Sequence, residues 1–193
     1  SDGQRAAASD LYQAMLKAGQ GGELDDDRRV TIASYAARLK EEHPGSTYAQ
    51  FAALQLARGA VETGDLEQAE AELRWVLGKA AKGSDVAAVG HLRLARVLAA
   101  GGDSDAALAI LDGEDSGAYA AAYATARGDI LLQAGRNGEA RAAYANARAL
   151  AAAAGQPMGG GTLGQKLDSL SAADTPGAAS TGTGADEPAG DGE

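Results

Sequence analysis

The chain has 193 residues, with 17 basic and 27 acidic side chains and no cysteine, and its formal net charge is -10. The lack of cysteine excludes disulfides, thiol catalysis and zinc fingers. An acidic chain without a basic stripe repels phosphate backbones, which argues against nucleic-acid binding. Only 4% of the residues are aromatic and alanine supplies much of the apolar share, so the composition predicts helices around a thin core.

The first part of the chain predicts a degenerate helix hairpin over residues 9–43. Leu11 and Met15 belong to a short first helix, residues 19–24 form a loop, and a second helix covers residues 30–42.

Three clearer hairpins follow at about residues 46–81, 86–113 and 118–154. The phrase Gly-Asp-x-x-x-Ala occurs at residues 64–69 and 102–107, with a relative at residues 135–140. Its spacings are typical of tetratricopeptide-type repeats, in which each unit of about 34 residues is one helix hairpin. We therefore predict an all-α solenoid of tetratricopeptide-like hairpins, a right-handed superhelix, in a domain covering residues 1–155.

The repeated phrase also predicts how each turn is built. Gly64 and Gly102 end the first helices, because glycine adopts the left-handed conformation at no steric cost. Asp65 and Asp103 then cap the second helices by accepting from their first backbone amides.

Alignment of the turns places small residues at matched positions, where paired helices are expected to cross closely. They are Ala57, Ala95 and Gly128 in the first helices and Ala69, Ala107 and Ala140 in the second helices. The close crossing explains a glycine inside a helix, which costs about 1 kcal/mol relative to alanine.

Beyond residue 155 the composition changes to glycine, alanine, threonine, proline and acids, which predicts a mostly disordered tail over residues 156–193. A short helix at about residues 162–171 would place Leu163, Leu167 and Leu170 on one face. This helix either caps the last repeat or docks on a partner.

Several phrases of the chain, read together, resemble those of a known family. They are Ser46-Thr47-Tyr48-Ala49, Leu73-Arg74-Trp75-Val76-Leu77, Leu92-Arg93-Leu94-Ala95-Arg96-Val97-Leu98, Arg127-Gly128-Asp129-Ile130 and Lys166-Leu167-Asp168-Ser169-Leu170. Over about residues 9–170 the chain resembles the ancillary SecYEG translocon subunit family, the YfgM-type tetratricopeptide-like proteins.

The resemblance implies a non-enzymatic adaptor with its repeats in the periplasm of a Gram-negative bacterium. It implies attachment to the SecYEG translocon and to a periplasmic folding chaperone, with membrane contact only through an N-terminal helix that is not in this sequence. The first residue is Ser1, so we expect a fragment of a longer product. The alternative is a free tetratricopeptide adaptor of another envelope assembly, such as division or secretion machinery.

The first helices of such an array line its inner surface, which gives a set of partner-binding candidates. They are Phe51, Leu54, Arg58, Leu92, Arg96, Asp129 and Leu132. Arg58 and Arg96 occupy equivalent positions and could bind carbonyls or a carboxylate of a partner. The alternative is an internal ion pair between Arg96 and Asp129. Trp75, the single tryptophan, is either an interface anchor or a packing residue.

No sequence motif indicates catalysis, a cofactor or a metal. The aspartates at residues 25–27 lack the ligand pattern of a calcium loop and suit a helix start, and His43 and His91 have no second ligand at metal spacing. The glycine run at residues 159–164 is separated from Lys166 by Gln165, unlike a phosphate loop. We predict no enzyme activity, since neither a nucleophile elbow nor paired carboxylates occur.

Overall fold

The computed structural model describes residues 1–113 and 117–155, together with Leu170. Within these residues the secondary structure is entirely helical. The helices are α1 (Asp2–Ala18), α2 (Asp26–Glu42), α3 (Thr47–Glu62), α4 (Leu66–Lys79), α5 (Asp85–Ala100), α6 (Ser104–Asp112), a 3-10 turn (Gly117–Tyr119), α7 (Ala120–Gln133) and α8 (Asn137–Ala153). Consecutive helices pair as four hairpins, so the prediction of an all-α hairpin array is confirmed.

The three regular hairpins turn in the way that the repeated phrase predicts. Gly64, Gly102 and Gly135 have φ angles of 80°, 92° and 77°, in the left-handed region. After the first of these glycines, the Asp65 amide donates to the Ala60 carbonyl at 2.8 Å, and the equivalent bonds follow the other two at 2.9 Å. This bond pattern is the Schellman motif, which satisfies helix-terminal carbonyls within a turn of three residues.

Side-chain caps begin most helices of these hairpins. The carboxylates of Asp65 and Asp103 each accept from a backbone amide of the following helix at 3.0 Å, as predicted. Ser46 and Ser84 cap α3 and α5 in the same way, at 3.1 and 3.2 Å. A cap of this kind contributes about 1 kcal/mol. Arg136 replaces the aspartate in the third turn and instead pairs with Glu139.

The array has an inner and an outer side. The first helices of successive hairpins contact one another, from α1 to α3, from α3 to α5 and from α5 to α7. Among the described residues no pair of second helices makes a contact of comparable extent. The second helices therefore spread apart, and α1, α3, α5 and α7 form the inner side of the curve.

The six small residues predicted at helix crossings are all buried. Gly128 faces the ring of Tyr144 across the third hairpin. A Cβ atom built on Gly128 would lie 2.5 Å from Cδ1 and 2.9 Å from Cζ of Tyr144. Glycine is thus the residue that this crossing requires.

The first hairpin differs from its sequence-based prediction in its bounds. Helix α1 begins at Asp2 rather than near Ser9, and α2 begins at Asp26 rather than at Val30. The extra turns are polar or alanine-rich, so they carry no apolar stripe from which a helix could be predicted. Asp25 caps α2 by accepting from the Arg28 amide at 2.8 Å, which makes the aspartate run a helix start.

Arg28 also organises the connection between α1 and α2, residues 19–25. Its guanidinium donates to the carbonyls of Ala18 at 3.1 Å and Glu23 at 2.9 Å, and it also bonds the carbonyls of Gln20 and Gly21. A single side chain therefore satisfies backbone acceptors at the end of α1 and in the loop.

Leu170 is the one described residue of the segment predicted as a short helix. It is 5% exposed and packs into the core of the last two hairpins. Its carbonyl accepts from Arg141 Nη2 in α8 at 2.8 Å. These contacts suit a cap on the last repeat, and the choice between a cap and a helix that docks on a partner stays a prediction. The remainder of the helix predicted at residues 162–171, and the disorder predicted for the tail, lie outside the described residues.

Two glycine substitutions test the crossing. We expect Gly128→Ala to lower the free energy of unfolding by about 1–3 kcal/mol, because the added methyl group overlaps a buried ring. Gly59→Ala is the matched control, since it also lies in a first helix but a Cβ atom there meets nothing within 4 Å. That change should raise stability by about 0.5–1 kcal/mol. Chemical denaturation of both variants measures the difference, and equal effects would contradict the assigned crossing.

Candidate partner-binding site on the inner face

We use "inner face" for the surface formed by α3, α5 and α7 around the seven predicted partner-binding residues. The structure divides these residues into three kinds. Phe51, Leu54 and Leu92 are half-buried, and the latter two pack against core clusters. Leu132 remains 38% exposed. The charged members, by contrast, are all engaged in ion pairs.

Phe51 belongs to a group of three aromatic rings at the N-terminal end of the inner face. The ring centroid of Tyr12 in α1 lies 6.0 Å from that of Phe51 and 5.6 Å from that of Tyr48. Tilted rings at these distances attract one another. Sequence analysis missed Tyr12, because its contact with α3 spans two hairpins and depends on how the degenerate first hairpin packs.

Arg58 forms an ion pair with Glu62, one turn further along α3, with Nε 3.3 Å from Oε1. The two side chains are 69% and 55% exposed. Exposed pairs of this kind contribute about 0–1 kcal/mol. The guanidinium of Arg58 therefore remains accessible to a competing carboxylate.

Arg96 has a different environment, because it joins two hairpins. Its Nη1 lies 3.4 Å from Oδ2 of Asp129 in α7, and Oδ1 of Asp129 accepts from the Tyr144 hydroxyl at 2.6 Å. The internal ion pair raised as the alternative from the sequence is thus present. The chain Arg96–Asp129–Tyr144 links α5, α7 and α8, and partner binding by Arg96 stays a prediction.

Burial determines the ionisation of Tyr144. Its side chain is fully buried, and burial together with the hydrogen bond to Asp129 raises the pKa of its hydroxyl above the ordinary value of 10.0. The neutral hydroxyl is therefore the form that the folded protein stabilises, and it donates to the Asp129 carboxylate.

Trp75 lies on α4, away from the inner face, and is half-buried against the core of the first hairpin. Lys40 Nζ is 5.1 Å and Lys79 Nζ is 5.9 Å from its ring centroid. Lys40 in α2 also pairs with Glu72 at 2.8 Å. These contacts join the second helices of neighbouring hairpins, so Trp75 packs between hairpins in this structure. An anchor role for Trp75 stays a prediction.

Other sequence features occupy structural positions. Arg127, from one of the phrases that resemble the family, lies inside α7 and pairs with Asp112. His43 is at the C-terminal end of α2 and His91 is inside α5. In residues 1–113, 117–155 and Leu170, no three acidic or histidine side chains converge as a metal site would require. No helix in that part of the chain is long and apolar enough to cross a membrane.

A single-atom change tests the role of Tyr144. We expect Tyr144→Phe to lower stability at pH 7 by about 1–2 kcal/mol, because it removes a hydrogen bond to a charged acceptor. Since the pKa of Tyr144 is raised in the folded state, the folded wild type keeps the hydroxyl proton to a higher pH than the unfolded chain does. The free energy of unfolding of the wild type therefore falls as pH rises above 10.

Denaturation curves between pH 8 and 11 measure both effects. The alkaline loss of stability should be smaller in Tyr144→Phe than in the wild type. Tyr35→Phe serves as the control, because Tyr35 is only half-buried and has no hydrogen bond from its hydroxyl to the described residues. An alkaline loss that is unchanged by Tyr144→Phe would contradict this assignment.

Comparison with known proteins places these features in a family. A family profile described as a tetratricopeptide repeat-like domain matches residues 1–172, past the domain end at residue 155 expected from composition. The ancillary SecYEG translocon subunit of Escherichia coli (strain K12) is 38% identical over 138 residues, which are 72% of this chain. The match spans 63% of that relative's length. No solved structure shows a significant match. The resemblance to ancillary SecYEG translocon subunits is therefore confirmed, and the chain belongs to the tetratricopeptide repeat-like domain family.

Proposed function

We propose that this chain is a non-enzymatic scaffold that attaches to a SecYEG translocon and links it to periplasmic chaperones, which receive newly exported proteins. On this proposal the protein is held at the bacterial inner membrane and its repeats lie in the periplasm. The observation that carries the proposal is 38% identity, over 72% of the chain, to a protein named as an ancillary subunit of that translocon.

The inner face supports a binding role for the repeats. Leu132 is an exposed aliphatic side chain on α7, and Arg58 on α3 is held only by a weak surface pair. A partner segment that crosses the array can bury the leucine and offer a carboxylate to the arginine. Half-buried apolar side chains between these two positions, such as Leu92, extend the contact.

The chemistry of this face supports a scaffold rather than an enzyme. The acids that it holds, Glu62 and Asp129, are engaged with arginines. The hydroxyl that donates to Asp129 belongs to Tyr144, which is fully buried, whereas acid-base or covalent catalysis requires a reactive group that reaches the substrate. A scaffold instead acts by raising the effective concentration of one partner near another. A stack of hairpins in which each hairpin packs on the next suits this task because it fixes the distance between the bound partners.

Co-purification from membranes tests the proposal. The complete gene product carrying an affinity tag would be isolated from gently solubilised membranes of its host, and the amount of SecY recovered would be quantified. We expect SecY to co-purify with the wild type. Leu132→Asp should reduce recovery about tenfold, since a charge in a desolvated contact is costly.

Ala109→Asp is the control for charge, because Ala109 is an exposed residue of α6 on the outer side. Equal recovery of SecY with both variants would argue against the inner face as the contact surface. A wild type that recovers no SecY, and recovers a division or secretion assembly instead, would favour the free adaptor.

A further inference from the structure

An open groove of about 600 Å³ lies beside the first hairpin, away from most of the inner-face candidates. Helices α1, α2 and α3 all contribute to it. Its apolar walls include Leu16, Leu24, Val30, Ile32 and Leu56. Pockets of this volume are large enough to hold several side chains of a ligand.

The groove results from the irregular first hairpin. Residues 19–25 connect α1 to α2, whereas residues 63–65, 101–103 and 134–136 form the turns of the other hairpins. The longer connection is held in shape by Arg28, which bonds several of its carbonyls. A hairpin with this wider end does not close against the C-terminal half of α3, and a cleft remains.

The groove exposes apolar side chains that a closed repeat would bury. Val30 is 69% exposed, the highest value for a large hydrophobic residue in the described part of the chain. Leu16, Ile32 and Leu56 are half-buried at the edge of the first-hairpin core. Covering these side chains would yield about 25 cal/mol for each Å² removed from water.

The polar side chains of the groove indicate the charge of its occupant. Arg29 lines the groove, and its guanidinium makes no ion pair or hydrogen bond within residues 1–113, 117–155 and Leu170. Glu62, the acid of the lining, is already paired with Arg58. The groove therefore offers one uncompensated positive charge beside an apolar floor, which complements a carboxylate.

The walls also indicate the backbone conformation of the occupant. They are largely helical, so most of their backbone amides and carbonyls are already bonded within α1, α2 and α3. An extended segment would find few backbone partners there, whereas a helix satisfies its own backbone.

We propose that this groove docks an amphipathic helix of a partner protein, with aliphatic anchors at positions i, i+3, i+4 and i+7 and a carboxylate beside them. Val30 contacts the anchors and Arg29 binds the carboxylate. The groove adjoins the inner face at Arg58, which lines both surfaces. The proposal rests on Val30 and Arg29 and does not depend on the attachment of the inner face to a translocon.

A binding assay with a designed helix tests this proposal. The probe is a fluorescein-labelled, alanine-based peptide with leucine at i, i+3, i+4 and i+7 and glutamate beside that stripe. Its binding to the full chain is measured by anisotropy. We expect saturable binding, weakened about tenfold by Val30→Asp because the charge enters the apolar contact. Val61→Asp should change the affinity less than about twofold, since Val61 is exposed on α3 but does not line the groove.

A charge exchange tests the carboxylate. Replacing the peptide glutamate by lysine should weaken binding about fivefold, and Arg29→Glu should reverse the preference between the two peptides. Absence of binding, equal losses for Val30→Asp and Val61→Asp, or an unchanged preference in Arg29→Glu would overturn the proposal. A concentration-dependent dimer that Val30→Asp abolishes would identify a second copy as the occupant and would also overturn it. The assay contains no translocon, so its outcome is separate from the co-purification result.

Discussion

The paired helices of the third hairpin approach so closely at Gly128 that the ring of Tyr144 occupies the space of a Cβ atom. This close approach is the constraint on which the array depends. Few aromatic residues are present to fill gaps between helices, so helices that pack through small side chains must lie close together. In the first two regular hairpins alanines take the same positions, and they are buried. Narrow spacing lets small side chains take part in the apolar clusters between helices, since dispersion contacts require surfaces that touch. The ring that fills the Gly128 crossing also brings its hydroxyl to Asp129 and so ties the hairpin to Arg96 in the preceding repeat.

The same reasoning explains why charged residues on the inner face differ in what they can do. Arg96 holds a carboxylate that also accepts from a buried hydroxyl, so replacing Arg96 disturbs packing between hairpins. Arg58 occupies the equivalent position one repeat earlier, yet its acid lies on its own helix and in water. Repeated positions in a solenoid are therefore equivalent in backbone geometry and not in chemistry. The neighbour in the next repeat decides whether a side chain stabilises the array or remains accessible to a partner.

The first hairpin lacks the regular turn, and its packing changes as a result. The connection over residues 19–25 is longer than the three-residue turns of the other hairpins. It contains two left-handed glycines, Gly21 and Gly22, and Arg28 bonds several of its carbonyls. The hairpin still packs on α3 through an alanine-rich core with Met15 and Leu39, but a cleft stays open near Val30. The departure from the repeat thus coincides with a concave apolar surface beside the first hairpin.

The sequence by itself determined the all-α repeat class, the position of each regular turn and the burial of six small residues. These features depend on local preferences, such as the left-handed glycine and the aspartate cap, and on spacing along one helix. The helix bounds of the first hairpin were not predictable in the same way, because polar and alanine-rich turns carry no periodic signal. Only the tertiary structure decided that Tyr12 stacks near Phe51, that Trp75 packs beside Lys40, and that Leu170 returns to the last repeat. The first two contacts join residues from different hairpins, and the third joins the segment after α8 to the last two hairpins. Their geometry depends on how distant parts of the chain pack rather than on any local pattern.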